Sequence, residues 1–400
     1  MEKEVFEVEI VTPCFLGGSA GIGGMRAAEW RGASIRGELR WWFRAVAGAL
    51  MSLEEVRARE QAIFGGTDQR SLLRVRPLNR VAPVTADWEV RKSARELAGL
   101  CGDPASEERL RLVGTRGEIL SNPIHYLGFG PVDKGKIQRW YLPPGARVRF
   151  QLQWMGNVEK DLRELFARSF WAWLYLGGIG ARSRKGFGSL QWIDEDGPAD
   201  RAAFVEQIRS KIPPENGEAV LPEWTCFSSH SRIFIGQGMG SWQEAMTNLG
   251  AWLICFRRRY GYPQDGRTIA GRPVAGRDYE WAAPKGRRPR GGIPDKTAFG
   301  LPLPFKRKYK DTGREAGETV VWNSPDGDAR RASPLLLHVA HIGNSYIPVL
   351  TYLPARFLPE VGRPVFEGHP DDSPEWERVD VVTHFLEELS TRGRIEEIRR

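Results

Sequence analysis

Between residues 178 and 188 the chain reads Gly178-Ile179-Gly180-Ala181-Arg182-Ser183-Arg184-Lys185-Gly186-Phe187-Gly188, two glycine-apolar-glycine triplets around five residues, three of them cationic. Glycine permits positive φ and lets a second backbone approach without a Cβ in the way, and successive main-chain N–H groups can form a nest for an anion. The pattern predicts an anion-binding glycine loop, with Arg182, Arg184 and Lys185 adding charge above the nest. It is not a phosphate-binding loop of the Gly-x4-Gly-Lys-Ser/Thr kind, and its place after a helix is wrong for a dinucleotide fingerprint.

Arg36, Arg40 and Arg44 recur at i, i+4 and i+8 on an expected helix, with Trp41 and Phe43 between them. Like charges on one helix face destabilise it in isolation, so the stripe implies an anionic neighbour, either a nucleic-acid backbone or an acidic protein surface. Aromatic rings beside such a stripe can stack on bases. Trp42 is expected in the core. A third cationic feature is the stretch 257–310, with 15 basic residues against four acidic ones, a net of +11 that leaves −3 for the rest of the chain. Its seven prolines and eight glycines show neither a helical nor a strand period, so it reads as a long mobile loop, either a solvated insertion or a phosphate-binding arm. Within it, Arg287, Arg288, Arg290, Lys306, Arg307 and Lys308 are the candidate contacts.

Nothing local assembles a catalytic centre. The six histidines include one close pair, His338 and His341, which three-residue spacing on a strand turns to opposite faces, so no metal site is expected. Asp68 reads as a turn residue. No cofactor is implied, and the chain is expected not to be an enzyme.

The elements that must carry these residues follow from periodicity. Lys3–Val11 alternates as a strand, and a glycine-rich loop follows between Gly17 and Gly32. Ser34–Met51 has helical apolar spacing, and Ser52 with Glu55 forms a capping-box signature for a second helix ending at Gly65-Gly66. Ser71–Leu78 and Arg147–Trp154 are strands, Asn157 is placed to cap a helix through Leu176, and Ser189–Ile193 is a last strand. This order is the ferredoxin-like arrangement. In the second half, Ser231–Gly236, a helix opened by Ser241 and Glu244, a hairpin of Pro334–Ile342 and Tyr346–Leu353 about Gly343-Asn344, and a helix over Val379–Ser390 repeat the order, with no visible glycine loop or fourth strand. The fold class expected is α+β: two ferredoxin-like (RRM-like, βαββαβ) domains in tandem, residues 1–195 and 196–400, the second degenerate and carrying the basic insertion.

Bulk properties agree. Four hundred residues suit two domains, and 41% hydrophobic with 27% charged residues at mean hydropathy −0.41 exclude a chain disordered throughout. The chain lacks any long uncharged apolar run and opens Met1-Glu2-Lys3-Glu4, so neither a membrane span nor a secretory leader is expected, and the cytoplasm is the expected compartment. Cys14, Cys101, Cys226 and Cys255 are far apart and are expected as four buried thiols. The net charge of +8, carried by 46 arginines and 12 lysines, suggests an anionic partner.

The glycine loop before the last strand of such a fold resembles the RAMP superfamily of CRISPR-associated proteins. So do Thr12-Pro13-Cys14-Phe15-Leu16-Gly17-Gly18, the Ser34–Arg44 stretch, Ala62-Ile63-Phe64-Gly65 and, less strongly, Arg331–Leu335 and Ala355–Pro359. Within the superfamily the resemblance is to a subunit of type III-B Cmr effector complexes. It implies a non-catalytic RNA-binding subunit that holds the 3′ portion of a guide (CRISPR) RNA, helps capture target RNA in antiviral defence and assembles with other Cmr-complex subunits. Arg36, Arg40, Arg44, Trp41, Gly178, Gly180, Arg182, Arg184, Lys185, Gly186, Phe187 and Gly188 are then the expected RNA contacts. A superfamily endoribonuclease and a purely protein-binding scaffold remain the alternatives.

Overall fold

The computed structural model describes all residues except 1, 23–24, 89, 105–106, 108–109, 111–121, 134, 194–196, 214–220, 260–267, 270–271, 274–294, 301–302, 309–314, 325–326, 330–331, 357–362, 367–380 and 399–400. In the first half the order is β1 (Lys3–Ile10), β2 (Gly17–Ile22), β3 (Met25–Ala28), α1 (Gly32–Ala47), α2 (Leu53–Phe64), β4 (Leu73–Pro77), α3 (Ala94–Leu100), α4 (Pro123–Leu127), β5 (Val132–Asp133), β6 (Lys136–Ile137), β7 (Arg147–Trp154), α5 (Lys160–Leu176) and β8 (Leu190–Trp192). Strands β4, β7, β1 and β8 form one antiparallel sheet in that order, with Phe6 opposite Phe150 and Val8 opposite Val148. Alternation along β1 and β7 buries Phe6, Val8, Ile10, Val148, Phe150, Leu152 and Trp154, which join Ile35, Leu39 and Phe43 of α1 and Leu162, Phe166 and Phe170 of α5 in one core.

The second half adds α6 (Arg201–Lys211), β9 (Arg232–Gly236), α7 (Trp242–Arg259), β10 (Thr268–Ile269), β11 (Arg272–Pro273), β12 (Leu303–Lys308), β13 (Glu315–Ser324), β14 (Gly327–Ala329), β15 (Leu335–Ile342), β16 (Ser345–Tyr352), β17 (Arg363–Phe366), α8 (Val381–Thr391) and β18 (Ile395–Glu397). Its main sheet runs β15, β16, β9, β18, again antiparallel. That is the strand order of the first sheet. A fourth strand is therefore present, contrary to the sequence reading; at three residues it is too short to carry a visible period.

The second sheet is covered on both faces, which explains the unbroken apolar run Leu335-Leu336-Leu337. Leu335, Leu337 and Val339 pack with Met246, Leu249 and Trp252 of α7 and Phe385 of α8, whereas Leu336, Ala340 and Ile342 point into the core built by α5 and the first sheet. Each core thus draws on both sides of residue 195: Phe15, Trp88 and Phe187 belong to the one centred on α7.

Several expectations change. The stretch after Gly17 is the hairpin of β2 and β3 and not a loop. Helix α1 begins at Gly32, before Ser34, and α5 begins at Lys160 with Glu159 as its cap and no side-chain hydrogen bond, so Asn157 does not cap it. The capping box of Ser52 and Glu55 is present. The stretch 257–310 is not loop throughout: β12 pairs with β13 and β10 with β11, where β10 and β11 are too short at two residues each to show a period and β12 runs Leu-Pro-Phe-Lys-Arg-Lys with a proline inside it. Arg287, Arg288 and Arg290 lie outside the described residues. Cys101 and Cys255, 154 residues apart, form a disulfide with Cα atoms 6.8 Å apart, joining the end of α3 to α7; only Cys14 and Cys226 are buried thiols.

The tightest backbone crossing lies at the glycine loop. Gly188 has φ of 63°, and a Cβ there would sit 2.0 Å from the Ile179 carbonyl oxygen. Gly145 has φ of 80° with nothing within 4 Å of its Cβ position. Urea denaturation should give a loss above about 3 kcal/mol for Gly188→Ala, where crowding adds to the φ penalty, and about 1–2 kcal/mol for Gly145→Ala, where only φ matters. Equal losses would refute the crowding account.

Candidate functional site

The glycine loop is a clasp. Ile179 N–H donates to Gly188 O, Ala181 N–H to Phe15 O, Gly188 N–H to Pro13 O and Ser189 N–H to the Thr12 hydroxyl, which itself donates to Gly186 O. These main-chain groups are directed into the protein, so they do not form the expected anion nest. The glycines serve close approach: Cβ atoms at Gly178 and Gly180 would lie 2.9 Å from Phe187 O and 2.8 Å from Phe15 O. Strand β15 docks on the outer side, where Leu337 N–H donates to Arg184 O, Val339 N–H to Ser189 Oγ, and the buried His338 Nδ1 to Gly177 O. Burial holds the His338 imidazole down to about 4, so it is neutral and serves structure. His341, three residues on, faces Glu9 of β1 at 3.3 Å.

This geometry redistributes the expected contacts. Phe187 is fully buried against Phe15 and Trp88, and Gly186 and Gly188 are buried, so these three cannot touch a ligand directly. Lys185 is half-buried; desolvation, then the charges of Arg257, Arg182 and Arg184, push its ammonium down to about 7. Arg184 donates to Ser333 O and lays its guanidinium over the Trp41 ring, 4.8 Å from the centroid. Arg182 donates to Phe129 O.

The arginine stripe of α1 has its anionic neighbour inside the chain. Arg40 Nε pairs with Glu60 of α2, a carboxylate only 5% exposed, and Arg44 lies 3.8 Å from the same group. Arg36 donates to Phe64 O at the carboxyl end of α2, where a cation is favoured. Arg36 and Arg40 therefore fasten α2 to α1, a correction to their expected role as primary ligand contacts. Phe43 and Trp42 are core residues.

What remains open is a cleft of about 610 Å³ between α1, the start of β2 and the clasp. Arg31, Arg44, Arg139 and Arg184 line it with Trp41, Gly178, Gly180 and Ser183. Its volume falls within the range of ligand pockets, about 300–1,000 Å³. Ser34, Glu38 and Trp41, at i, i+4 and i+7, form the wall contributed by α1. Glu38 is the single acidic residue in that lining, and burial raises its carboxyl to about 7 against the opposing pull of Arg184. Sequence reading missed Glu38, Arg31 and Arg139. The helical stripe of Ser34, Glu38 and Trp41 carried a signal for the first, whereas Arg139 reaches the cleft from a segment whose position no local pattern encodes. Among the described residues no group of three or more His, Cys, Asp or Glu could hold a metal ion.

Because the folded state raises the Glu38 pKa from its ordinary value of 4.5 to about 7, the native protein holds more protons than the unfolded chain between those values. Stability from this group therefore declines as pH rises from about 4.5 through 7. Glu38→Gln should raise the melting temperature at pH 8 and leave it near wild type at pH 4; a lower melting temperature at pH 8 would show that the ionised carboxylate is instead held favourably.

Comparison with known proteins finds similarity over these features. The RAMP superfamily profile matches residues 7–191, the stretch from β1 to β8 that contains the clasp and the cleft helix. The CRISPR system Cmr subunit Cmr1-2 of Pyrococcus furiosus is 28% identical over 203 residues, covering 48% of this chain and 95% of that protein. Cmr1-1 of the same organism is 29% identical over 195 residues, 48% of this chain and 47% of its own length. The crystal structure of Cmr1 from Pyrococcus furiosus in its apo form superimposes with a TM-score of 0.55 at 19% identity, covering 100% of this chain and 99% of that one, a likeness of fold. Among the described residues no helix is long and apolar enough to cross a membrane. Residues 7–191, with the clasp at their carboxyl end, thus resemble the RAMP superfamily.

Proposed function

We propose that this chain is a non-catalytic RNA-binding subunit of a type III-B CRISPR Cmr ribonucleoprotein. On this reading it holds the 3′ portion of the guide RNA, helps capture target RNA and assembles with other Cmr subunits. The observation that carries the reading is the cleft itself: four arginines and a tryptophan converge on it against one carboxyl that is itself raised to about 7. Arginine suits phosphate oxygens through its planar fork, and an exposed guanidinium or indole face suits an unpaired base. The similarity to Cmr1 subunits supports the assembly. We read the two sheets of identical strand order as tandem ferredoxin-like domains over residues 1–195 and 196–400.

Within the cleft, Arg44, Arg139 and Arg184 take backbone phosphates, while Trp41 with Arg184 stacked on it offers a platform for a base. Lys185 and Arg182 add field from behind. Lys306, Arg307 and Lys308 of β12, and the sequence positions Arg287, Arg288 and Arg290, are further phosphate contacts on this reading, supported by the net charge of +11 over residues 257–310. The cytoplasm is the compartment that fits such a complex.

The test is anisotropy of a labelled single-stranded RNA across a salt series. Affinity should fall by about 0.7 log units per log unit of salt for each phosphate held. Arg44→Ala with Arg139→Ala should weaken binding of unrelated sequences alike and lower the slope by about 1.4. Binding that ignores salt, or a double variant as tight as wild type, would overturn the assignment of the cleft.

A further inference from the structure

A second arginine-aromatic pair stands on the other side of the clasp. Phe129, in the turn between α4 and β5, is 63% exposed, the most exposed large apolar side chain among the described residues and the one aromatic among those exposed. The Arg182 guanidinium lies over its ring, 5.8 Å from the centroid, and Arg182 Nε donates to the Phe129 carbonyl. Arg182 is also the one non-glycine residue at positive φ among the described residues, at 66°. Side chains rarely adopt that conformation, and a residue held there against preference points to a local role. Here the conformation accompanies a guanidinium set over an exposed ring.

Arg182 and Arg184 are alternate residues of one loop, and each covers an aromatic ring, Phe129 on one side and Trp41 on the other. The segment that follows Phe129 carries exposed Lys136 and Arg139, with Asp133 the acidic residue among them, and Arg139 reaches the cleft. The Phe129 site and the cleft therefore adjoin through both the clasp and residues 129–139. A solvent-exposed ring with a cation on it suits the π-face of an unpaired base, which stacks on aromatic rings and guanidinium planes irrespective of sequence. An apolar protein partner would have to bury the Arg182 charge without compensation.

We propose that Phe129 and Arg182 form a second base-stacking platform, which takes an unpaired nucleotide of the same RNA strand that enters the cleft. This rests on the RNA-binding reading above and adds two contacts to it outside the cleft.

Two variants of the full chain separate the contact from the fold. Arg182→Gly removes the guanidinium and relieves the positive φ, so its melting temperature should equal or exceed that of wild type. Phe129→Leu keeps an apolar side chain and removes the π-face. Each should weaken a labelled oligouridine on the order of tenfold, the double variant should lose little more than either single one, and 4-thiouridine in that RNA should crosslink to the peptide containing Phe129. Abasic substitution at the crosslinked nucleotide should weaken wild type and leave Phe129→Leu unchanged. If wild type binds RNA and both variants bind equally well, this proposal falls and the cleft reading stands. If both bind RNA normally but fail to join other Cmr subunits, Phe129 is a protein-docking point and the proposal is wrong. If wild type binds no RNA, both readings fall together.

Discussion

The crossing of residues 177–189 over residues 12–16 is the constraint on which the rest depends. Two backbone segments far apart in sequence meet at Gly180, where a Cβ would meet the Phe15 carbonyl oxygen, while the loop closes on itself at Gly178 and Gly188, where a Cβ would meet the carbonyl oxygens of Phe187 and Ile179. The same crossing aligns β8 beside β1 and presents Arg184 and Ser189 to β15 of the second sheet. One loop thereby closes the first sheet, orients the second and fixes the cleft wall. Its polar groups are largely satisfied within the protein, which gives rigidity, and a rigid frame lets the surrounding arginines present fixed charge.

Charge distribution follows from that frame. On α1 the arginines divide by which way they face. Arg36 and Arg40 secure α2 through Phe64 O and Glu60, while Arg44, 3.8 Å from Glu60, also lines the cleft with Arg31, Arg139 and Arg184. The carboxyl that shares the cleft is pushed toward neutrality, and Lys185 behind it is pushed down by burial and neighbouring guanidinium groups. Both shifts come first from desolvation, and the guanidinium charges that push Lys185 down further are the part an added anion would offset.

Much of the architecture was legible in the sequence. The strands Lys3–Ile10 and Arg147–Trp154, the capping box at Ser52 and the hairpin at Gly343 each follow from a local period or local turn chemistry. Errors gathered where the deciding interaction is distant, as for the three-residue β18 and the Cys101–Cys255 bond. Phe129 escaped notice for the opposite reason, since a lone aromatic in a turn has no pattern, and only the position of Arg182 gives it meaning.

The sequence by itself determined most of the strands and helices and which of their faces are apolar, because periods of 2 and 3.6 residues and the conformational freedom of glycine are properties of the chain. It also marked the glycine loop as exceptional. Only the tertiary structure decided what that loop does. Whether a glycine frees an N–H for an anion or admits a neighbouring carbonyl, and whether an arginine meets Glu60 or solvent, depends on what lies within a few ångströms across the fold, and sequence distance carries no measure of that separation.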